Sequence, residues 1–176
     1  MKISDYGVAD GVRYVASPYC DFRPAAADIR LIVIHSISLP PGEFSGNSVE
    51  ALFTGSLDWD AHPYFQSIRG IHVSTHFLLR RNGEIIQFVP CNRRAWHAGV
   101  SSWQGWERCN DFSIGIELEG TDDAPFTEQQ YSSLLPLLSA LKDRYATIGI
   151  VGHSDIAPGR KTDPGPHFDW SRIKRT

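Results

Sequence analysis

The chain has 176 residues, near the usual size of one domain, and its 41% hydrophobic content is enough for a substantial core. Its 17 basic and 20 acidic residues leave a formal net charge of −3, which gives no wide positive footprint for nucleic acid or an anionic lipid surface. No apolar run approaches the roughly 18 residues of a spanning helix. Residues 1–15, with Asp5, Asp10 and Arg13 among the apolar positions, do not read as a signal peptide, so a soluble protein is expected.

In chain order, the three cysteines come first into question. Cys20, Cys91 and Cys109 are odd in number and far apart, which suits neither a disulfide framework nor the close pairs of a structural zinc site. They read as reduced thiols. Residues 31–34 form a short, continuous, β-branched run, as expected of a strand buried on both faces, with His35 at its C-terminal end. A short helix is expected over 49–57, started by Asn47 or Ser48. Across 75–89 two apolar runs flank Asn82-Gly83, a dipeptide suited to the positive φ angles of a tight hairpin turn.

Residues 113–119 alternate, with Ile114, Ile116 and Leu118 on one face and Ser113, Gly115, Glu117 and Glu119 on the other. The second face is acidic, and its small residues leave room beside the carboxylates. Thr127 precedes the longest helical pattern, Tyr131 to Tyr145, with Gln130 in the capping-box position. Pro136 inside that pattern removes one hydrogen bond and predicts a kink. Residues 148–151 read as a further buried strand leading into Gly152-His153. Residues 98–111 and 157–167, rich in glycine, proline and polar residues, are expected as loops, where sites usually lie. The sum is a mixed α/β protein: one central mixed sheet flanked by helices, in a single domain over 1–176.

Two histidines each end a buried strand. If those strands are neighbours, His35 and His153 project at the same sheet edge, which suits a metal. Zinc in a hydrolase takes three protein ligands and keeps a fourth position open. Asp163, ten residues after His153 in a loop stiffened by three prolines, is a candidate carboxylate ligand. Each residue also has an ordinary reading, the histidines as hydrogen-bonded core and Asp163 as a turn residue. Glu117 is a candidate general base, with Glu119 competing on the same face. Lys161 is a candidate for stabilising an oxyanion, or a solvated loop lysine.

Four stretches go further: Ile34-His35 with Leu39-Pro40-Pro41-Gly42-Glu43-Phe44; Trp96-His97-Ala98-Gly99; the run from Glu107-Arg108-Cys109-Asn110-Asp111 through Glu117-Leu118-Glu119-Gly120; and Gly152-His153 through Pro166. In these the chain resembles the cytoplasmic 1,6-anhydro-N-acetylmuramoyl-L-alanine amidases of the AmpD type, over roughly residues 20–170. The resemblance implies that His35, His153 and Asp163 bind Zn2+, that Glu117 is the acid/base residue and that Lys161 assists the tetrahedral intermediate. It implies Trp96, His97, Arg108 and Ser36 on the substrate side. It further implies the fold of peptidoglycan recognition proteins and phage amidases, an anhydromuramyl-peptide substrate, a monomer and a cytoplasmic role in recycling wall fragments. Ser36 stands where the family usually has Asn, and His72 where Arg is common. The tail after Trp170 is short. Alternatives are a muropeptide-binding sensor that does not cut, a serine hydrolase using Ser154, which lacks the Gly-x-Ser-x-Gly elbow, and an exported amidase of intact wall.

Overall fold

The computed structural model describes residues 1–25, 27–44, 46–146 and 149–173. In chain order the elements are β1 (Arg13–Tyr14), β2 (Cys20–Phe22), β3 (Leu31–Ile37), α1 (Ser48–Thr54), α2 (Pro63–Ser67), β4 (Phe77–Leu79), β5 (Ile85–Gln87), β6 (Arg93–Ala95), β7 (Ser102–Trp103), β8 (Trp106–Glu107), β9 (Ser113–Glu119), α3 (Glu128–Arg144), β10 (Gly149–Gly152) and α4 (His153–Ile156). Six strands form the main sheet in the order β1-β5-β4-β9-β3-β10. It is mixed: β4 and β5 pair antiparallel, and the other neighbours pair parallel. The expected class therefore holds.

Strand alternation divides the core. Ile32, Ile34, Ile114, Ile116 and Leu118 face α3, which covers them with Tyr131, Leu134, Leu138 and Leu141. Leu134 and Leu141 are fully buried, each stabilising the packing by roughly 2 kcal/mol. The predicted capping box opens α3: Thr127 Oγ1 accepts from the Gln130 N–H at 3.1 Å, and Gln130 Oε1 accepts from the Thr127 N–H at 3.0 Å. Pro136 does not end the helix. It and Ser132, whose carbonyl loses the hydrogen bond, are both on the exposed side, where water can replace the missing donor.

The opposite face carries two apolar patches. Leu78, Ile86 and Phe88 pack on Val49, Leu52 and Phe53 of α1, while Leu31 and Val33 pack on Ala98, Phe112 and Ile156. His35 and Glu117 project from the same face as these patches. The predicted acidic face is thus not solvated: all of Ser113–Glu119 is buried.

Several local expectations change. β3 continues two residues beyond His35, because Ser36 and Ile37 still pair with Leu118 and Glu119 of β9; His35 is inside the strand. α1 stops at Thr54, where Gly55 takes φ 73°, short of residue 57, and Asn47 makes no side-chain cap bond. In the 80–84 turn only Gly83 has positive φ, 85°. The Gly83 N–H donates to Arg80 O and the Arg80 N–H to Glu84 O, both at 2.9 Å. This is a turn with a glycine bulge instead of a two-residue primed turn. The expected loop 98–111 contains the β7–β8 hairpin. Of the strand expected over 148–151, Ile148 lies outside the described residues, and β10 runs Gly149–Gly152. The three cysteines are free thiols. Among the described residues no helix is long and apolar enough to cross a membrane.

Candidate active site

Two parallel neighbours of β3 assemble the site. β10 pairs Gly152 with Ile34, so His153, the next residue and the first of α4, arrives beside His35. On the other side β9 pairs Glu117 with His35. Asp163 comes from the proline-containing loop, which is tied to α4 by the Ser154 N–H donating to Asp163 O at 3.0 Å. Residues far apart in the chain are therefore brought together by parallel registry and one anchored loop.

The three candidate ligand atoms form a nearly equilateral triangle. His35 Nδ1 lies 3.0 Å from His153 Nδ1 and 3.1 Å from Asp163 Oδ2, and His153 Nδ1 lies 3.0 Å from Asp163 Oδ2. Tetrahedral zinc with bonds of about 2.0–2.1 Å has ligand–ligand edges of about 3.3 Å, so the triangle needs only slight expansion. Both histidines are almost wholly buried, and Asp163 is largely so. His153 Nε2 is 3.0 Å from the Ala98 carbonyl. A carbonyl only accepts, so this nitrogen carries the proton and Nδ1 turns a lone pair toward the triangle. Two imidazole nitrogens and a carboxylate oxygen converging in this way are stabilised by a cation, and the three residues could hold a metal ion.

Charge states agree with that chemistry. Burial pushes the His35 imidazole down to about 4, so it is neutral near pH 7, as a ligand must be. Glu117 is pushed the other way: burial, and then the nearby Asp163, raise its carboxyl well above the ordinary value. Its Oε1 stands 3.9 Å from His35 Nδ1, and its buried Oε2 has no hydrogen-bond partner among the described residues. A buried carboxylate oxygen left unbonded is costly unless something else uses it.

Glu119, its competitor in the sequence, is committed elsewhere. Oε1 pairs with Arg80 at 3.1 Å and Oε2 accepts from the Arg81 N–H at 3.0 Å. Arg80 in turn donates to Gly46 O and Asn47 Oδ1, and the Arg81 guanidinium lies 4.7 Å over the Phe44 ring. Glu119 thus anchors the loop that carries Pro41, part of the groove rim.

The triad opens into a groove of about 480 Å³ that also takes in Ser36, Trp96, Glu117 and Lys161. Lys161 is exposed on its wall. Trp96 stacks toward Tyr19, with ring centroids 6.2 Å apart, and Tyr19 stacks on His72 at 4.7 Å, so the His72 departure falls in an aromatic rim. Arg108 is not in this groove. It is largely exposed, paired with Asp111 at 3.2 Å, and lines a neighbouring hollow of about 560 Å³; Arg160 borders both. His97 borders the groove but is buried beneath His35, with Nδ1 2.9 Å from His35 Nε2 and Nε2 3.1 Å from Ser113 Oγ.

The sequence reading missed two contributors. Asn110 Oδ1 accepts from both the His97 N–H and the Ala98 N–H, at 3.1 and 2.8 Å. Arg23 is a half-buried cation spanning carbonyls of Cys91, Asn110, Asp111 and Ser113; desolvation lowers it to about 10. Neither has a local pattern that marks it, since both act on chain segments distant in sequence.

A family description of N-acetylmuramoyl-L-alanine amidases matches residues 25–166. The chain is 59% identical over 163 residues to the 1,6-anhydro-N-acetylmuramyl-L-alanine amidase AmpD of Enterobacter cloacae, covering 92% of this chain and 87% of that one. A crystal structure of a Se-Met AmpD derivative superposes with a TM-score of 0.93 at 57% identity, over 96% of this chain and 95% of that one. The Escherichia coli amidase AmiD, solved with the substrate anhydro-N-acetylmuramic acid-L-Ala-D-gamma-Glu-L-Lys, matches with a TM-score of 0.59 at 34% identity, over 85% of this chain and 58% of that one. A match of this breadth to the family description, together with the two AmpD relatives alike along most of their length, makes the chain a member of the N-acetylmuramoyl-L-alanine amidase family.

Proposed function

We propose that this chain is a zinc-dependent amidase of cytoplasmic muropeptides, working as one domain and a monomer, that hydrolyses the amide between the lactyl group of 1,6-anhydro-N-acetylmuramic acid and L-alanine. His35, His153 and Asp163 would hold Zn2+, whose chemistry there is Lewis-acid activation of water and of the amide carbonyl. The observation that carries the reading is Glu117: a buried carboxyl beside the triad with one oxygen that has no hydrogen-bond partner among the described residues. Glu117 accepts a proton as water attacks the lactyl carbonyl. It then delivers that proton to the departing alanine nitrogen, since an amine anion is too poor a leaving group. A carboxyl with raised proton affinity suits both halves of this exchange. The Lys161 ammonium stands on the groove wall where it can balance the developing oxyanion. Water is added across the amide, giving the anhydromuramyl sugar acid and a free stem peptide. Trp96 and Ser36 border the groove on the substrate side, and Arg108 lies beside the adjoining hollow.

The substrate class follows the relatives named above. A sensor that only binds muropeptides would have no use for an unpartnered buried carboxyl next to three converging ligand atoms. The test is incubation of anhydromuramyl-tripeptide with the purified protein and mass spectrometry of the products. Release of tripeptide supports the amidase; binding without cleavage, with zinc supplied, means a sensor.

A further inference from the structure

The dipeptide His97-Ala98 touches both imidazoles of the triad, through different groups. His97 Nδ1 faces His35 Nε2 at 2.9 Å, and the Ala98 carbonyl faces His153 Nε2 at 3.0 Å. Each contact is on the ring nitrogen that points away from the other ligands. The dipeptide is itself held at its backbone: Asn110 Oδ1 accepts both of its N–H groups, and Arg160 Nη2 donates to Ala98 O at 2.7 Å. On the far side of the His97 ring, Nε2 reaches Ser113 Oγ at 3.1 Å.

The proton pattern is consistent along this chain. With the His97 proton on Nε2 and donated to Ser113, Nδ1 is an acceptor and His35 donates from Nε2. That leaves the His35 Nδ1 lone pair in the triangle, matching the tautomer that Ala98 imposes on His153. Were His97 turned to the opposite tautomer, His35 would carry its proton on Nδ1, inside the cluster, and could not ligate.

We infer that His97 and Asn110 are positioning residues for the metal: the Asn110-clamped His97-Ala98 dipeptide sets the tautomer and orientation of both histidine ligands at once. The inference rests on the zinc reading above. A partner of this kind behind a metal-ligating histidine is typically worth about 10–100-fold in metal affinity.

The experiment is zinc affinity, by competition with a chromophoric chelator, for the wild type, His97→Phe, Asn110→Ala and Asn110→Asp, with circular dichroism of each metal-free protein. Affinity should fall about 10–100-fold for His97→Phe. It should fall in the same direction for Asn110→Ala and recover for Asn110→Asp, which keeps an acceptor for both N–H groups. In parallel, imidazole 15N spectra of the zinc-loaded wild type should show His35 and His153 both protonated at Nε2; this readout stands even if a variant does not fold. Folded His97→Phe that binds zinc as tightly as the wild type, or either ligand protonated at Nδ1, overturns the inference while leaving the zinc site intact. A wild type that binds no zinc overturns the zinc reading, and this inference with it.

Discussion

A methyl group on Gly115 would stand 2.5 Å from Cγ of His97, so the absence of a side chain on β9 and the presence of the imidazole beneath His35 are one structural fact. Gly115→Ala should push the ring or the strand aside. Overpacking of this kind costs about 1–3 kcal/mol, a fall in melting temperature on the order of 5 °C for a chain of this size. Thermal unfolding checks the stability, and chelator competition should show weaker zinc binding. An alanine variant as stable as the wild type would mean that the space is slack.

Glu117 and Glu119 separate cleanly by experiment. Glu117→Gln preserves shape but removes the proton carrier, so kcat should fall by about 100- to 10,000-fold with zinc content unchanged. Glu119→Ala breaks a buried pair with Arg80 and should instead destabilise the fold by about 3 kcal/mol. Turnover and urea unfolding of the two variants, measured side by side, distinguish the roles.

Lys161→Met keeps the aliphatic stem and removes the ammonium. Turnover, kcat, should drop by roughly 100- to 1,000-fold, with little change in zinc affinity, because no ligand contact is lost. Steady-state kinetics together with metal analysis decide this. Loss of zinc in Lys161→Met would move the residue from the reaction to the site's assembly.

Glu50 makes an acid-sensitive contribution. The hydrogen bond from Arg13, with further help from Arg80, holds its carboxyl below the usual value of 4.5. Its folded pKa is depressed, so its stabilisation is complete above about 4.5 and is lost as pH falls through the folded pKa. Melting temperature should therefore decline below about pH 4.5, and Glu50→Gln should remove part of that decline. Identical acid limbs for both proteins would assign the effect to other carboxyls.

The parts of the site legible in the sequence were those with local patterns. Period-two alternation put Glu117 and Gly115 on one strand face, and an apolar run ending at His153 marked the second ligand's strand. Thr127 and Gln130 announced the start of α3. What stayed illegible depends on pairing. That β3 extends past His35 follows from β9 lying alongside it, and residues 31–37 alone cannot reveal this. The choice between Glu117 and Glu119 turns on Arg80 and Arg81, which reach Glu119 from the hairpin between β4 and β5. Asn110 is an unremarkable polar residue in the chain; its role exists only because its carbonyl oxygen meets two backbone N–H groups across the loop.

The most direct test of the account is turnover of anhydromuramyl-tripeptide by the protein as isolated, after exhaustive chelation, and after stoichiometric zinc is restored. Activity should disappear with chelation and return with about one zinc per chain, with no return in His153→Ala. Undiminished hydrolysis by the chelated, zinc-free protein would contradict it.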